Sequence, residues 1–266
     1  MKVLYVARLF SGFETSMIDR IWRPTGVPTV YKIIEALDAS GDLELLLTVK
    51  DGHSLWRRKS DETFRIEGLK ARISVLAGTS FFPTFLGRLR RPLRELRQIF
   101  KIFQASHSLK PDLIYVDHGN IWAAGLLARM CQIPVVFRVM GIKPVMRDAY
   151  TNRYRVAHFV LRWCYRAPFA MVICTQDGTG AEGWVKYALG TTVPFKILIN
   201  GVPETTIPDD VDERLQGISN SRVVILFLGS LEPSKGPIEF VDAFLDARQK
   251  CNAHLHALIV GAGSLE

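Results

Sequence analysis

Residues 223–236 read VVILFLGSLEPSKG, an apolar run that enters a glycine turn and then a helix. Val223, Val224 and Ile225 are β-branched, the pattern of a parallel strand covered on both faces, and Gly229 ends the run. Pro233 and Gly236 close a tight loop, after which Ile238, Val241, Ala243, Phe244 and Leu245 supply one apolar helix side. His254–Val260 (HLHALIV) is a second strand, running into Gly261-Ala262-Gly263. Glycine turns at the carboxyl ends of two neighbouring strands sit where open α/β sheets bind ligands. Two readings fit them. In one, backbone N–H groups approach a phosphate and Lys235 adds a point charge; in the other, this is a plain strand-to-helix turn whose lysine is solvated.

Gly229-Ser230-Leu231-Glu232-Pro233-Ser234-Lys235-Gly236 follows Asn200-Gly201-Val202 and precedes Leu258-Ile259-Val260-Gly261-Ala262-Gly263. This spaced set resembles the second domain of family 4 glycosyltransferases. The resemblance implies the GT-B fold, in which two Rossmann-like domains face each other across a cleft and the carboxyl-terminal one holds a nucleotide-sugar. It also implies donor binding by Gly229, Ser230, Lys235, Gly236, Gly261 and Gly263, with Lys235 on the diphosphate. Ser230 stands where the family usually has arginine.

The chain has 266 residues, 48% hydrophobic, enough for one large globular domain or two modest ones. A formal charge of +8 favours an anionic partner, whether membrane lipid, nucleic acid or phosphorylated substrate. Cys131, Cys164, Cys174 and Cys251 lie in apolar segments without CxxC spacing and read as buried free thiols in a reducing compartment. Arg8 closely follows the short apolar start and no run reaches about 18 apolar residues, so neither a signal peptide nor a membrane span is assigned.

Lys2–Ala7 is a first buried strand, and the segment through Gly26 to Pro28 reads as a loop. Val30, Ile33, Ile34 and Leu37 predict an amphipathic helix over Thr29–Ala39. Leu43–Val49 and Arg72–Leu76 are further strands, with a polar Gly52–Leu69 between them. Arg88, Arg90, Arg91, Arg94, Arg97 and Lys101 crowd one stretch against a single acid, Glu95, and Pro92 fits a first helical turn. Leu93, Leu96, Phe100 and Phe103 form its apolar stripe. Such a helix either lies on an anionic membrane or packs its stripe on the sheet with its arginines solvated. Tyr154–Ala167 is a second arginine-striped helix, so Arg88–Lys101 and Arg153–Arg166 together mark a candidate membrane face.

Asp112–Asp117 (DLIYVD) and Pro134–Val139 (PVVFRV) are strands flanking an Ile121–Met130 helix. Their carboxyl ends make Asp117, His118, Asn120 and Arg138 candidates for an acceptor pocket. Asp117 beside His118 either orients an imidazole base or makes turn hydrogen bonds. Asp112–Gly141 resembles the family's first-domain core, and the loop holding Gly26 matches in place the family's acceptor-side loop; with Asn120 and Arg138 from the strand ends, Gly26 and Gly141 are therefore the acceptor-binding candidates. Met140 stands where that core often has a histidine. Phe169–Cys174 is a strand leading into Thr175–Gly180, which resembles the family's late first-domain segment, and Phe195–Ile199 is the domain's last strand.

The expected organisation is therefore α/β and GT-B-like. A complete Rossmann-like acceptor-side domain occupies 1–202, a linker 203–220, and the first βαβ unit of a partial nucleotide-sugar-binding domain 221–266. The family's paired glutamates for the donor sugar and ribose would fall past Glu266, so the chain reads as a fragment or as a product lacking its donor half. The resemblance implies a retaining glycosyltransferase that uses no metal or other cofactor and acts on a glycan or lipid-linked acceptor at the cytoplasmic membrane face. As this chain alone it is expected to be nearly inactive. The alternative is a non-catalytic acceptor-binding subunit working with a separate donor-binding chain, which would also cover the open strand edges. Nucleic-acid binding has only the net charge behind it, with no recognition motif.

Overall fold

A computed structural model describes residues 1–50, 56, 60–77, 90–142, 144–151, 156–176, 180–190, 192–199, 223–251 and 254–265. The linker 203–220, Asn200 to Val202, Arg88, Arg153 and Arg155 lie outside them. The chain divides into two compact units, Met1–Val202 and Pro203–Glu266.

In the first unit, apolar residues on both faces of Lys2–Leu9 (β1) place it at the centre of the sheet. Leu4 and Val6 enter one core, and Val3, Tyr5, Ala7 and Leu9 the other. β1 pairs in parallel with Asp42–Val49 (β2) on one side and Leu113–Asp117 (β5) on the other. Arg72–Leu76 (β4) extends the sheet beyond β2, and Val135–Val139 (β6), Met171–Gln176 (β7) and Phe195–Ile199 (β8) extend it beyond β5, all parallel. Glu62–Phe64 (β3) adds a short antiparallel edge to β4, giving the order β3-β4-β2-β1-β5-β6-β7-β8. The polar stretch that gave no reading in the sequence thus holds a three-residue edge strand, too short to show an alternation. Connections leave β1 in one direction and return to β5 in the other, so the topological switch lies between β1 and β5.

Helices Ser11–Asp19 (α1) and Pro28–Ser40 (α2) contribute Phe13, Met17, Val30 and Ile34 to the core on one face. Arg90–Leu109 (α3), Ile121–Met130 (α4), Val156–Tyr165 (α6) and Ala181–Leu189 (α7) pack into the other, with Pro144–Thr151 (α5) beside α6. α1 corrects the expected loop after β1. It forms around Gly12, where a Cβ would lie 1.9 Å from the Thr25 carbonyl oxygen; the bare glycine lets Thr25 N–H donate to the Gly12 carbonyl at 2.9 Å. α2 begins with Pro28 in its first turn, and its buried Asp38 accepts from Lys70 and Ala71 N–H ahead of β4.

α3 departs from the expectation that its whole stripe packs on the sheet, although Phe103 is partly buried against the core. Its buried residues are Gln98, Ile99, Ile102 and Ser106, while Leu96 and Phe100 face solvent. Polar anchors set this rotation. Gln98 Nε2 donates to the Val49 and Ala77 carbonyls at 3.1 Å each, Arg97 pairs with Asp61, and Arg94 and Lys50 converge on Glu95. Arg94 and Arg97 are thus engaged by the protein itself and are not solvated. The four cysteines are free thiols as read; Cys164 and Cys174 are buried, but Cys251 is exposed and Cys131 half-buried.

In the second unit Val223–Leu228 (β9) and Leu255–Val260 (β10) pair in parallel over six residues, joined by Pro237–Lys250 (α8). Phe227 packs on Phe240 at 5.3 Å between ring centres. The reading of β9 as covered on both faces is corrected: Val223, Val224, Leu226 and Leu228 are exposed, since pairing with β10 covers an edge and the described side-chain packing on β9 is that of Phe240 on Phe227.

Candidate active site

The switch point of the first unit is built by side chains from β1, β2 and β5. Asp117 ends β5 and caps the 3-10 turn His118–Asn120, one oxygen accepting from Gly119 N–H at 3.0 Å and from Asn120 Nδ2 at 3.4 Å. Its other oxygen accepts from the Arg8 N–H of β1 at 3.0 Å. Asn120 is itself held, its Oδ1 accepting from Thr48 Oγ1 of β2 at 2.8 Å. The carboxylate therefore laces the ends of three strands together. Burial pushes the Asp117 carboxyl up, opposed by the N–H groups of Arg8 and Gly119, the Asn120 amide and the Lys50 charge.

Of the two readings of Asp117 beside His118, this geometry matches the turn hydrogen bonds. Asp117 is the extended last residue of β5, and His118 opens the 3-10 turn. His118 turns to the other side, where its Nε2 lies 2.6 Å from Tyr165 Oη and its ring stands 6.1 Å from those of Phe137 and Tyr165. The turn-hydrogen-bond reading of Asp117 is the one observed.

Arg138 on β6 is the register partner of Asp117 and is buried, with Nη2 donating to Thr175 Oγ1 at 3.1 Å. Its charge opposes the rise that burial gives the Tyr115 phenol, and Tyr115 stacks on Tyr5 at 4.9 Å. Among the described residues Arg138 Nε has no hydrogen-bond partner. An unpaired donor of this kind, buried at the carboxyl end of a strand, fits a polar ligand. Gly141 follows β6 with φ 78°, and Gly26 takes φ 88° in the loop that Gly12 draws onto α1. Asp117 and Asn120 are thus brought into direct contact, Arg138 adjoins them across the β5–β6 register, and Gly26 stands apart by the β1 loop.

Sequence reasoning missed Arg8, Gly12, Thr48 and Lys50. Lys50 is nearly buried, and burial pushes its ammonium down against the pull of Glu95. Their signal was their position just at or after β1 and β2, at the same sheet end as Asp117.

In the second unit the two glycine turns are zipped together. Gly229 N–H donates to Val260 O and Leu231 N–H to Ala262 O, both at 3.0 Å, and Glu232 accepts from Ser264 N and Oγ at 3.2 and 2.8 Å. A Cβ on Gly261 would lie 1.8 Å from the Gly229 carbonyl oxygen, so this glycine serves turn-to-turn packing. Lys235 and Gly236 N–H donate back to Glu232 and Pro233 carbonyls, and Gly236 enters α8 with φ 71°. What remains for an anion is the exposed Lys235 ammonium beside the start of α8. Ser230 is exposed, and Glu239 sits in the first helical turn. Among the described residues no group of three His, Cys, Asp or Glu converges as metal ligands.

No curated protein matches the chain. Several solved structures share its fold. The E. coli structure described as trehalose-6-phosphate bound with UDP-2-fluoro glucose aligns with TM-score 0.62 at 12% identity, over 99% of this chain and 65% of that one. The sucrose-phosphate synthase of Thermosynechococcus elongatus gives 0.61 at 13%, over 97% and 62%. A trehalose-6-phosphate synthase studied with bisubstrate glycomimetics for glycosyltransfer with retention gives 0.57 at 14%, over 98% and 64%. The chain thus spans a little under two thirds of these GT-B structures' length. The family described as glycosyl transferase 4-like domain matches residues 25–180, from the Gly26 loop through β7, and so includes Asp117, Asn120, Arg138 and Gly141. With more than half of its length matched and a GT-B-like arrangement of strands, the chain belongs to the glycosyl transferase 4-like family.

Proposed function

We propose that the protein serves transfer of a sugar from a nucleotide-sugar to a hydroxyl of a glycan or lipid-linked acceptor, with retention at the anomeric carbon. The family match across the first unit carries this reading. Two further observations support it. The buried, part-paired Arg138 beside Asp117 suits a polar acceptor at the carboxyl ends of β5 and β6, and Lys235 at the start of α8 suits the donor diphosphate. The neighbours' UDP-2-fluoro glucose complex and their studied retention are properties of those proteins, and they make a nucleotide donor and retention the first hypotheses here.

In this reading the chain's own residues act by position and charge. Lys235 and the first turn of α8 neutralise the departing diphosphate. Arg138, with Tyr115 beneath it, orients the acceptor, while Asp117 and Asn120 hold the strand ends that shape its pocket. No metal or other cofactor enters. On this reading the 266-residue chain by itself is expected to bind nucleotide without appreciable turnover.

The test is a panel of nucleotide-sugars with polyprenyl-linked and soluble glycan acceptors, supplied to the protein in a lysate of its native cells. Transfer is read by nucleoside diphosphate release and anomeric configuration by proton coupling constants. Retention in the product supports the proposal. Inversion, or rapid turnover by the purified 266-residue chain alone, would overturn the part of the reading it touches.

A further inference from the structure

Helices α3, α4 and α6 pack side by side on one sheet face, α4 in the middle. Gly125 of α4 meets Cys164 of α6 closely enough that a Cβ would lie 2.8 Å from its Cα, and the ends of α3 and α4 together line one crevice with His107, Lys110 and Met130. The outer side of this layer carries large apolar groups in solvent. Leu96 is 60% exposed, Phe100 67%, Met130 70%, Phe159 63% and Trp163 37%. Leu96 with Phe100, and Phe159 with Trp163, are spaced one helical turn apart and so share a face of their helix.

The charge on this layer has one sign. α3, α4 and α6 hold seven arginines and lysines and one acid, Glu95, which is turned inward to Lys50 and Arg94. Arg94 and Arg97 are likewise committed inward, and Arg129 of α4 donates to the Gly125 carbonyl at 2.9 Å. Arg129 lies 3.9 Å from the centre of the Trp163 ring and donates to the Trp163 carbonyl at 2.6 Å. Arg166, exposed, follows α6, and Lys110 follows α3. Exposed Phe, Leu, Met and Trp with an arginine against the indole, and no outward carboxylate on the three helices, is a composition suited to the headgroup region of an anionic bilayer.

From these residues we infer that the outer face of α3, α4 and α6 docks on an anionic membrane surface, with Phe100 and Phe159 entering the interface. The inference stands apart from the sugar-transfer reading, since vesicle binding requires no donor. It relocates the membrane face expected from the sequence: apolar side chains with the exposed Arg166 and Lys110 carry it, while Arg94 and Arg97 do not.

The test is co-sedimentation of the 266-residue chain with phosphatidylcholine vesicles, alone or containing about one third phosphatidylglycerol. Binding to the anionic vesicles is expected to be at least about tenfold tighter and to weaken in about 0.5 M salt. Phe100→Glu combined with Phe159→Glu is expected to lower vesicle binding about tenfold or more. Leu245→Glu, on exposed α8 of the other unit, is expected to leave it unchanged. Circular dichroism checks folding; should the double variant not fold, Phe100→Gln and Phe159→Gln singly carry the same comparison. Equal binding to both vesicle types, no binding, or an effect of Leu245→Glu equal to that of the pair would overturn the inference. So would conversion of a soluble dimer to monomer by the pair without change in vesicle binding, which would assign the face to a second copy.

Discussion

Replacing Asp117 by alanine separates a structural carboxylate from a catalytic one. In the native fold its oxygens accept two backbone N–H groups, from Arg8 and Gly119, at 3.0 Å, and more distantly the Asn120 amide. Alanine leaves both backbone donors buried without an acceptor, at about 1–3 kcal/mol each, offset in part by relief of the carboxylate's own desolvation. A net loss of about 2–4 kcal/mol is expected, and with a urea slope of about 3 kcal/mol/M the midpoint falls by about 1 M. An asparagine in place of the acid keeps one acceptor and sets an amide donor against the other N–H, so Asp117→Asn is expected to cost about 1–2 kcal/mol. The pH dependence is a second readout. Burial raises the native carboxyl above its ordinary 3.8, so within the window between the two values the native state holds the proton that the unfolded state has released. Wild-type stability therefore falls as pH rises through that window, by at most about 1.4 kcal/mol per pH unit from this group, and both variants lack that fall. Their deficit shrinks accordingly from low to higher pH. An alanine variant within about 0.5 kcal/mol of wild type, yet unable to support transfer in the assembled enzyme, would refute the structural assignment and return Asp117 to the chemistry.

Gly12→Ala places a methyl against the Thr25 carbonyl and is expected to cost about 1–3 kcal/mol, seen as a lower thermal midpoint. Glu95→Ala leaves Lys50 and Arg94 without their shared acid and is expected to cost about 3–5 kcal/mol in urea unfolding, more than Lys50→Met, which leaves Glu95 paired with Arg94. Lys235→Ala removes an exposed cation and is expected to leave stability unchanged while lowering nucleoside diphosphate affinity about tenfold by calorimetry.

Much of this molecule is legible in its sequence because parallel strands buried on both faces read as apolar runs. β1, β5 and β6 announce themselves in this way; β9 shows the same apolar run although its side chains are largely exposed, and the glycine turns after β9 and β10 mark the second unit. α1 did not, because Phe13 and Met17 are its main apolar anchors and Gly12 falls in its first turn for a tertiary reason, the Thr25 carbonyl. The orientation of α3 was hidden for the same kind of reason. A helical stripe of Leu and Phe ordinarily packs inward, and what turned it outward are Asp61 and Lys50, 36 and 45 residues away from their partners on the helix. At the candidate site, sequence adjacency left a pairing of Asp117 with His118 and turn hydrogen bonds both open, and the partners that decide between them, Arg8, Gly119 and Tyr165, are not visible in that adjacency. Arg138 was legible as a strand-end cation, but its unpaired Nε becomes visible only once Thr175 and Tyr115 are placed around it.

The central claim, a nucleotide-sugar enzyme whose donor diphosphate is met by the zipped turns of the second unit, is most directly tested by titrating nucleoside diphosphates into isotope-labelled protein and following backbone amide shifts. The account predicts saturable shifts at Ser230, Lys235, Gly236, Ile238 and Gly263, lost in Lys235→Ala. Shifts confined to the first unit, or none at millimolar nucleotide, would contradict it.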